Sequence, residues 1–122
     1  MLSFALLFTT ATKSTVKAGD DGTWRALAAP GTVAVMRHAL APGFSDPDNF
    51  DVKDCTTQRN LNDAGRDQAR RIGAALRSRG FTFDKVYSSE WCRCQETAAL
   101  LNIGSVTPLT ALNSFFENRG NE

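Results

Sequence analysis

The sequence predicts an α/β fold built on a mostly parallel sheet, and three observations predict it. A continuous apolar and β-branched run at 32–36 and two further candidate strands at 84–88 and 103–109 alternate with two stretches of helical periodicity. Short strands separated by helices at this spacing form right-handed crossovers, which build parallel sheets. The length of 122 residues corresponds to about one small domain.

The first predicted strand lies between a short helix and a long loop. Residues 24–29 predict the helix, which Pro30 and Gly31 end. The run 32–36 is continuously apolar and partly β-branched, so we expect a strand buried on both faces. Residues 41–58 are rich in Pro, Gly, Asp, Asn and Ser and therefore predict a loop.

The clearest helix follows this loop. Asn62 can cap its start and Gly80 is placed to end it, while its apolar residues recur at helical spacing and its arginines mostly face solvent. Residues 84–88 predict a second strand. A second helix is then expected from Ser89 to about Leu101.

A third strand is predicted at 103–109, and Pro108 indicates a sheet edge or the end of the strand. Ligands bind parallel sheets at the carboxyl ends of the strands. Arg37 and His38 follow the first predicted strand, and Arg93 comes shortly after the second. The candidate chemistry is therefore expected at one edge of the sheet.

The types of these residues indicate an anion site. A histidine at the end of a buried strand is, taken alone, more often structural than catalytic. Arg37 beside His38 changes this, because a guanidinium fork matches phosphate oxygens. Arg93 adds a second guanidinium in the first turn of a helix, where the backbone also favours an anion. Together they predict a site for a dianionic phosphoryl group.

Composition and cysteine spacing exclude several classes of protein. The formal net charge of +1 argues against a nucleic-acid partner. The single histidine and the spacing of Cys92 and Cys94 argue against a zinc site, so no metal is expected. Cys-x-Cys also lacks the geometry of a redox motif. If the protein is exported to an oxidising compartment, we expect one disulfide, from Cys55 to Cys92 or Cys94. Three buried thiols are the alternative.

Residues 1–18 predict a signal peptide, leaving 19–122 as the domain. The apolar run at 1–8 is too short to span a bilayer, and 16–18 offer small residues for cleavage. Basic residues before the run are missing, so a buried strand or helix is the alternative. We expect a periplasmic or secreted protein without a transmembrane segment; a cytoplasmic location is the alternative.

Three segments between about Val33 and Leu101 resemble, in order, the motifs of the histidine phosphatase superfamily. Residues 35–39 (VMRHA) resemble its Arg-His-Gly motif. The stretch RNL at 59–61, with the helix after it, resembles its Arg-x-Leu…Gly-x-x-Gln-Ala segment. The stretch VYSS, followed by Arg93, resembles its second phosphate-binding segment. The sequence is nearer the phosphohistidine phosphatase branch of this phosphoglycerate mutase-like fold.

The resemblance implies a three-layer αβα sandwich and a phosphomonoester hydrolase that needs no metal or cofactor. His38 would attack phosphorus and become phosphohistidine, while Arg37 and Arg93 hold the phosphoryl oxygens. Arg59 is a weaker candidate that either lines the pocket or anchors the loop. Ser45 and Asn49 of the loop are weaker substrate contacts. The expected substrate is a phosphorylated small molecule or a phosphohistidine protein.

The sequence also departs from the family pattern. Ala39 stands in place of the motif glycine, and the second histidine of the family is missing from a chain with one histidine. Glu117 is the late candidate for the proton donor. We therefore expect the N-terminal part of a histidine phosphatase domain, weakly active or inactive as it stands. A non-catalytic phosphate-binding relative is the alternative.

Overall fold

The computed structural model describes residues 21–114. The predicted signal peptide and Glu117 lie outside the described residues. The helices are α1 (Asp21–Ala28), α2 (Asp63–Ser78) and α3 (Cys92–Leu101), and the strands are β1 (Val86–Ser88) and β2 (Val106–Pro108). Single 3-10 turns occur at Cys55–Thr57 and Thr110–Leu112.

Helix α1 belongs to a unit that ends at Ala34, and the other described elements belong to the unit that begins at Val35. The short helix predicted at 24–29 is confirmed with slightly earlier bounds. None of the helices within residues 21–114 is long and apolar enough to cross a membrane.

Helix α2 begins and ends where its sequence predicts. The Asn62 side chain accepts a hydrogen bond from the backbone N–H of Gly65, 2.9 Å away, which satisfies one of the free donors of the first turn. At the other end, the Gly80 N–H donates to the Arg77 carbonyl at 2.9 Å. Gly80 has φ +74°, a left-handed conformation that glycine adopts without a Cβ penalty.

Strands β1 and β2 pair in parallel, with α3 as the connection between them. Val86 lies opposite Val106, and Ser88 lies opposite Pro108. Beyond the proline, the Leu109 N–H donates to the Ser88 carbonyl at 2.7 Å. The second and third predicted strands and the α/β class are thereby confirmed.

The strand predicted at 32–36 is wrong: within residues 21–114 this segment belongs to no strand. Val33 is 83% exposed and Val35 91% exposed. A strand forms only where a neighbour accepts and donates its backbone hydrogen bonds. The described sheet consists of β1 and β2, and residues 32–36 are not among its strands. The apolar pattern of 32–36 therefore predicted burial, but these residues are exposed in the described fold.

Helix α2 approaches two neighbouring segments closely at positions that carry no side chain. A Cβ at Gly73 would lie 1.9 Å from the Leu101 carbonyl oxygen of α3. A Cβ at Gly65 would lie 2.0 Å from the Leu40 carbonyl oxygen. The approach at Gly73 brings α2 against the end of α3, and the approach at Gly65 brings the segment after His38 against the start of α2.

Two hydrogen bonds fix the segment after His38 between the helices. The Ala39 N–H donates to the Thr97 hydroxyl of α3 at 3.0 Å, and the Leu40 N–H donates to the Gln68 side chain of α2 at 2.9 Å. Ala39 is itself buried, with 4% exposure. The position of His38 is thus set by both helices.

Candidate active site

A cleft of about 310 Å³ lies where the 37–38 segment, the loop before α2 and the start of α3 meet. Its charged lining residues are Arg37, His38, Asp46, Arg59 and Arg93. Polar and apolar side chains complete the lining: Ser45, Ser89, Cys94, Ser114, Phe44, Trp91 and Leu112. The folded chain therefore gathers three arginines and its single histidine around one small cleft.

The imidazole of His38 is held in one tautomer. Its Nδ1 lies 2.6 Å from the carbonyl oxygen of Ala39. A carbonyl only accepts hydrogen bonds, so Nδ1 carries the proton and Nε2 keeps its lone pair in the neutral ring. Burial lowers the pKa of His38; the bond to Ala39 opposes this, and the charges of Arg93 and Arg37 lower the pKa further. The neutral, nucleophilic form is therefore favoured.

Arg93 is buried in an ion pair with Asp46. Its two terminal nitrogens, Nη1 and Nη2, lie 2.8 and 3.2 Å from the two carboxylate oxygens. The Arg93 side chain is 10% exposed and that of Asp46 9%. Asp46 also accepts from the Arg59 N–H at 2.9 Å and from the Trp91 indole N–H at 3.2 Å. Burial raises the pKa of Asp46, but these hydrogen bonds, led by Arg93, outweigh it and the pKa is lowered.

Arg59 combines the two roles that the sequence left open. It lines the cleft, and its Nη1 donates to the Ala41 carbonyl, which ties the start of the loop to its end. Gly43 also sits close, since a Cβ there would lie 3.2 Å from Arg59 Cδ.

Two guanidinium nitrogens are buried without a partner. Within residues 21–114, nothing accepts a hydrogen bond from Nε of Arg59 or from Nε of Arg93. Buried donors are nearly always paired, so these two donors, on residues that line the cleft, add positive polarity that suits an anion.

A disulfide joins the loop to α3. The structure pairs Cys55 with Cys92, one of the two pairings that the sequence allowed, and leaves Cys94 as a half-buried free thiol in the cleft wall. Beside the disulfide, the Cys92 N–H donates to the Gln58 side chain at 2.9 Å. The loop and the start of α3 are thus joined covalently and by a hydrogen bond.

The remaining predicted site residues fall in different places. Ser45 lines the cleft rim and is exposed, whereas Asn49 is exposed on the loop and does not line the cleft. Asp46 was missed, because in the sequence it resembles the other acids of a polar loop. The only signal for it was indirect: Trp91, next to the cysteines and Arg93, indicated a partly buried segment in need of polar partners.

A cleft lined by arginines and a neutral histidine, beside a parallel βαβ unit, is typical of proteins that act on phosphorylated ligands. The model of the histidine phosphatase superfamily (branch 1) matches residues 33–120. The chain belongs to this superfamily.

Two curated relatives are similar over shorter stretches. A broad-specificity phosphatase of Saccharomyces cerevisiae is 50% identical over 42 residues, which is 34% of this chain and 18% of that protein. A mitochondrial serine/threonine-protein phosphatase of Drosophila grimshawi is 43% identical over 52 residues, 43% of this chain and 18% of that protein. The chain therefore matches under a fifth of the length of either relative. No solved structure matches.

Proposed function

We propose that this protein is a phosphatase that hydrolyses phosphomonoesters through a phosphohistidine intermediate on His38. One observation carries the proposal: the single histidine, held in one tautomer, shares a cleft with Arg37, Arg59 and Arg93. Membership of the superfamily and two relatives named as phosphatases support phosphatase activity in general.

In the first step, the lone pair on Nε2 of His38 attacks phosphorus in line with the leaving oxygen. The N–P bond forms as the P–O bond to the leaving group breaks. Arg37, Arg59 and Arg93 bind the other phosphoryl oxygens and stabilise their charge in the transition state. Their positive charges perform the task that a metal ion performs in other phosphatases, so we propose that the reaction is metal-independent.

The leaving oxygen needs a proton at this stage. Asp46 is the carboxylate that lines the cleft within residues 21–114, and it is unsuited because its lowered pKa keeps it ionised in the pair with Arg93. Glu117 stays a predicted donor. In the second step, water attacks the phosphohistidine, the N–P bond breaks, and inorganic phosphate leaves with His38 neutral again.

The size of the cleft suits a phosphorylated small molecule or the phosphohistidine side chain of a protein. Its volume of about 310 Å³ lies at the lower end of the range of small-molecule sites, about 300–1,000 Å³. It has room for a phosphoryl group with a compact leaving group.

The disulfide supports a periplasmic or secreted location, because such bonds persist in oxidising compartments. A membrane-impermeant thiol reagent tests this in intact cells. If Cys94 is labelled in intact cells or after permeabilisation of the outer membrane alone, the protein is exported. If Cys94 is labelled only after full lysis, the proposed export is contradicted.

The mechanism is tested with an aryl phosphate carrying ³²P, in the presence of EDTA. We expect wild-type protein to acquire an acid-labile label, even if slowly given the weak activity expected of the chain as it stands, and vanadate to prevent labelling. His38→Ala is expected to lose the label, because the attacking nitrogen is gone. Asp48→Asn is the matched control, since Asp48 is exposed on the loop and does not line the cleft.

Three outcomes contradict parts of the proposal. A label that survives in His38→Ala removes His38 as the nucleophile. A label that EDTA abolishes contradicts the metal-independent mechanism. Tight phosphate binding without any labelling favours the alternative of a non-catalytic phosphate-binding relative.

A further inference from the structure

We propose that Asp46 is a positioning residue: it orients the Arg93 guanidinium for the phosphoryl group and stays bound to Arg93 when the anion enters. The inference rests on the proposed function only in taking the cleft as a phosphoryl site. The opposite interpretation treats the Asp46 carboxylate as a placeholder that occupies the position of the anion and must leave.

The carboxylate is held by more than the arginine. Besides Arg93, it accepts from the backbone N–H of Arg59 and from the indole N–H of Trp91. Trp91 is 3% exposed and stacks on Phe50 with ring centroids 5.1 Å apart, so its indole is fixed. If Asp46 left, the part-buried amide of Arg59 and the indole of the buried Trp91 would lose their acceptor. The contacts therefore favour a carboxylate that stays.

The pairing also fixes the orientation of the Arg93 guanidinium, because it engages two of its three nitrogens. Asp46 occupies Nη1 and Nη2, and the Arg59 carbonyl also accepts from Nη1 at 3.3 Å. The Nε of Arg93 has no partner among residues 21–114 although it is buried. Asp46 thus fixes the plane of the Arg93 guanidinium in the wall of the cleft, and Nε is the one nitrogen of the group that still lacks an acceptor.

The same carboxylate sets the charge of the cleft. Three guanidinium groups less one carboxylate leave two net positive charges, because His38 is neutral in its favoured form. This matches a dianionic phosphoryl group. Asp46 therefore contributes both the orientation of Arg93 and the charge balance of the site.

The test measures the binding of inorganic phosphate to the full chain by calorimetry. Asp46→Asn is expected to weaken binding about tenfold, because in either orientation its N–H₂ group would face an Nη donor of Arg93 and turn the guanidinium away. This loss is expected to outweigh the attraction that phosphate gains when the carboxylate charge is removed. Asp48→Asn removes the same charge from an exposed position of the same loop and is expected to leave the affinity unchanged. Unchanged or tighter binding by Asp46→Asn overturns the proposal in favour of the placeholder.

A double-mutant cycle separates positioning from a general structural role. When Arg93 is already replaced by Ala, adding Asp46→Asn is expected to cause no further loss of phosphate affinity. A loss of equal size in both backgrounds means that Asp46 acts on the fold and not through Arg93, which contradicts the proposal.

A second measurement needs no variant of Asp46. Hydrogen exchange of the Trp91 indole N–H reports its bond to the carboxylate, and Trp24→Phe assigns the signal because the chain has two tryptophans. Saturating phosphate is expected to leave this proton protected, whereas loss of protection means that Asp46 has moved away. Since none of these readouts needs turnover, absent ³²P labelling would refute the proposed reaction and leave the role of Asp46 standing.

Discussion

Removal of the Cys55–Cys92 disulfide is expected to lower the free energy of unfolding by about 4 kcal/mol. The two cysteines are 37 residues apart, so the bond closes a long loop in the unfolded chain. The chain-entropy relation gives about 13 cal/mol/K for a loop of this length, or about 3.8 kcal/mol at 25 °C. A small domain has a total stability of only ~5–15 kcal/mol, so the bond supplies a large part of it.

Urea unfolding of wild type and of the Cys55→Ser, Cys92→Ser double variant tests this value. With an m-value of ~1.5–2 kcal/mol/M, the midpoint is expected to fall by about 2–3 M urea. Cys94→Ser is the matched control, because Cys94 carries a free thiol, and its midpoint is expected to stay close to that of wild type. Equal midpoints for wild type and the double variant would refute the reasoning.

Three further predictions concern packing and protonation. Gly73→Ala is expected to lower the free energy of unfolding by about 1–3 kcal/mol although alanine favours helices, because its Cβ would meet the Leu101 carbonyl. A thermal melt measures this as a lower Tm. An unchanged Tm contradicts the close packing of α2 against α3. The pKa of His38 is lowered from its ordinary value of 6.5, so the imidazole stays neutral at a lower pH than usual. The rate of labelling is therefore expected to fall in acid only below pH 6.5. A rate that already falls above pH 6.5 would contradict the lowered pKa. The pKa of folded Asp46 lies below its ordinary value of 3.8, so the ionised carboxylate stabilises the fold above that pH. This stabilisation is lost as the pH falls through the folded pKa. The urea midpoints of wild type and Asp46→Asn should therefore differ at neutral pH and converge in strong acid.

Local signals in the sequence predicted the helices well. The start of α2 depends on Asn62 and a donor three residues later, and its end depends on a glycine that adopts a left-handed conformation. Both devices act within one turn of helix, so they can be recognised in a short window. The strand at 32–36 depends on a neighbour elsewhere, and its apolar pattern carried no information about that neighbour.

Some residues of the candidate site could likewise be predicted from the sequence, and one could not. His38, Arg37 and Arg93 stand out by residue type and by their place after predicted strands, and the structure brings all three to one cleft. Asp46 is one acid among several in a polar loop, and nothing near it in the chain marks it. Its partner Arg93 is 47 positions away, and the disulfide between Cys55 and Cys92 joins the same loop to the start of α3.

The sequence by itself determined the α/β class, the extent of α2 and the superfamily, because these follow from periodicity, caps and short motifs. Only the tertiary structure decided the pairing of Cys55 with Cys92, the burial of Asp46 against Arg93 and the exposure of 32–36. The physical reason is range. Caps and periodicity act between residues a few positions apart, whereas ion pairs, disulfides and strand pairing join segments whose meeting depends on how the whole chain packs.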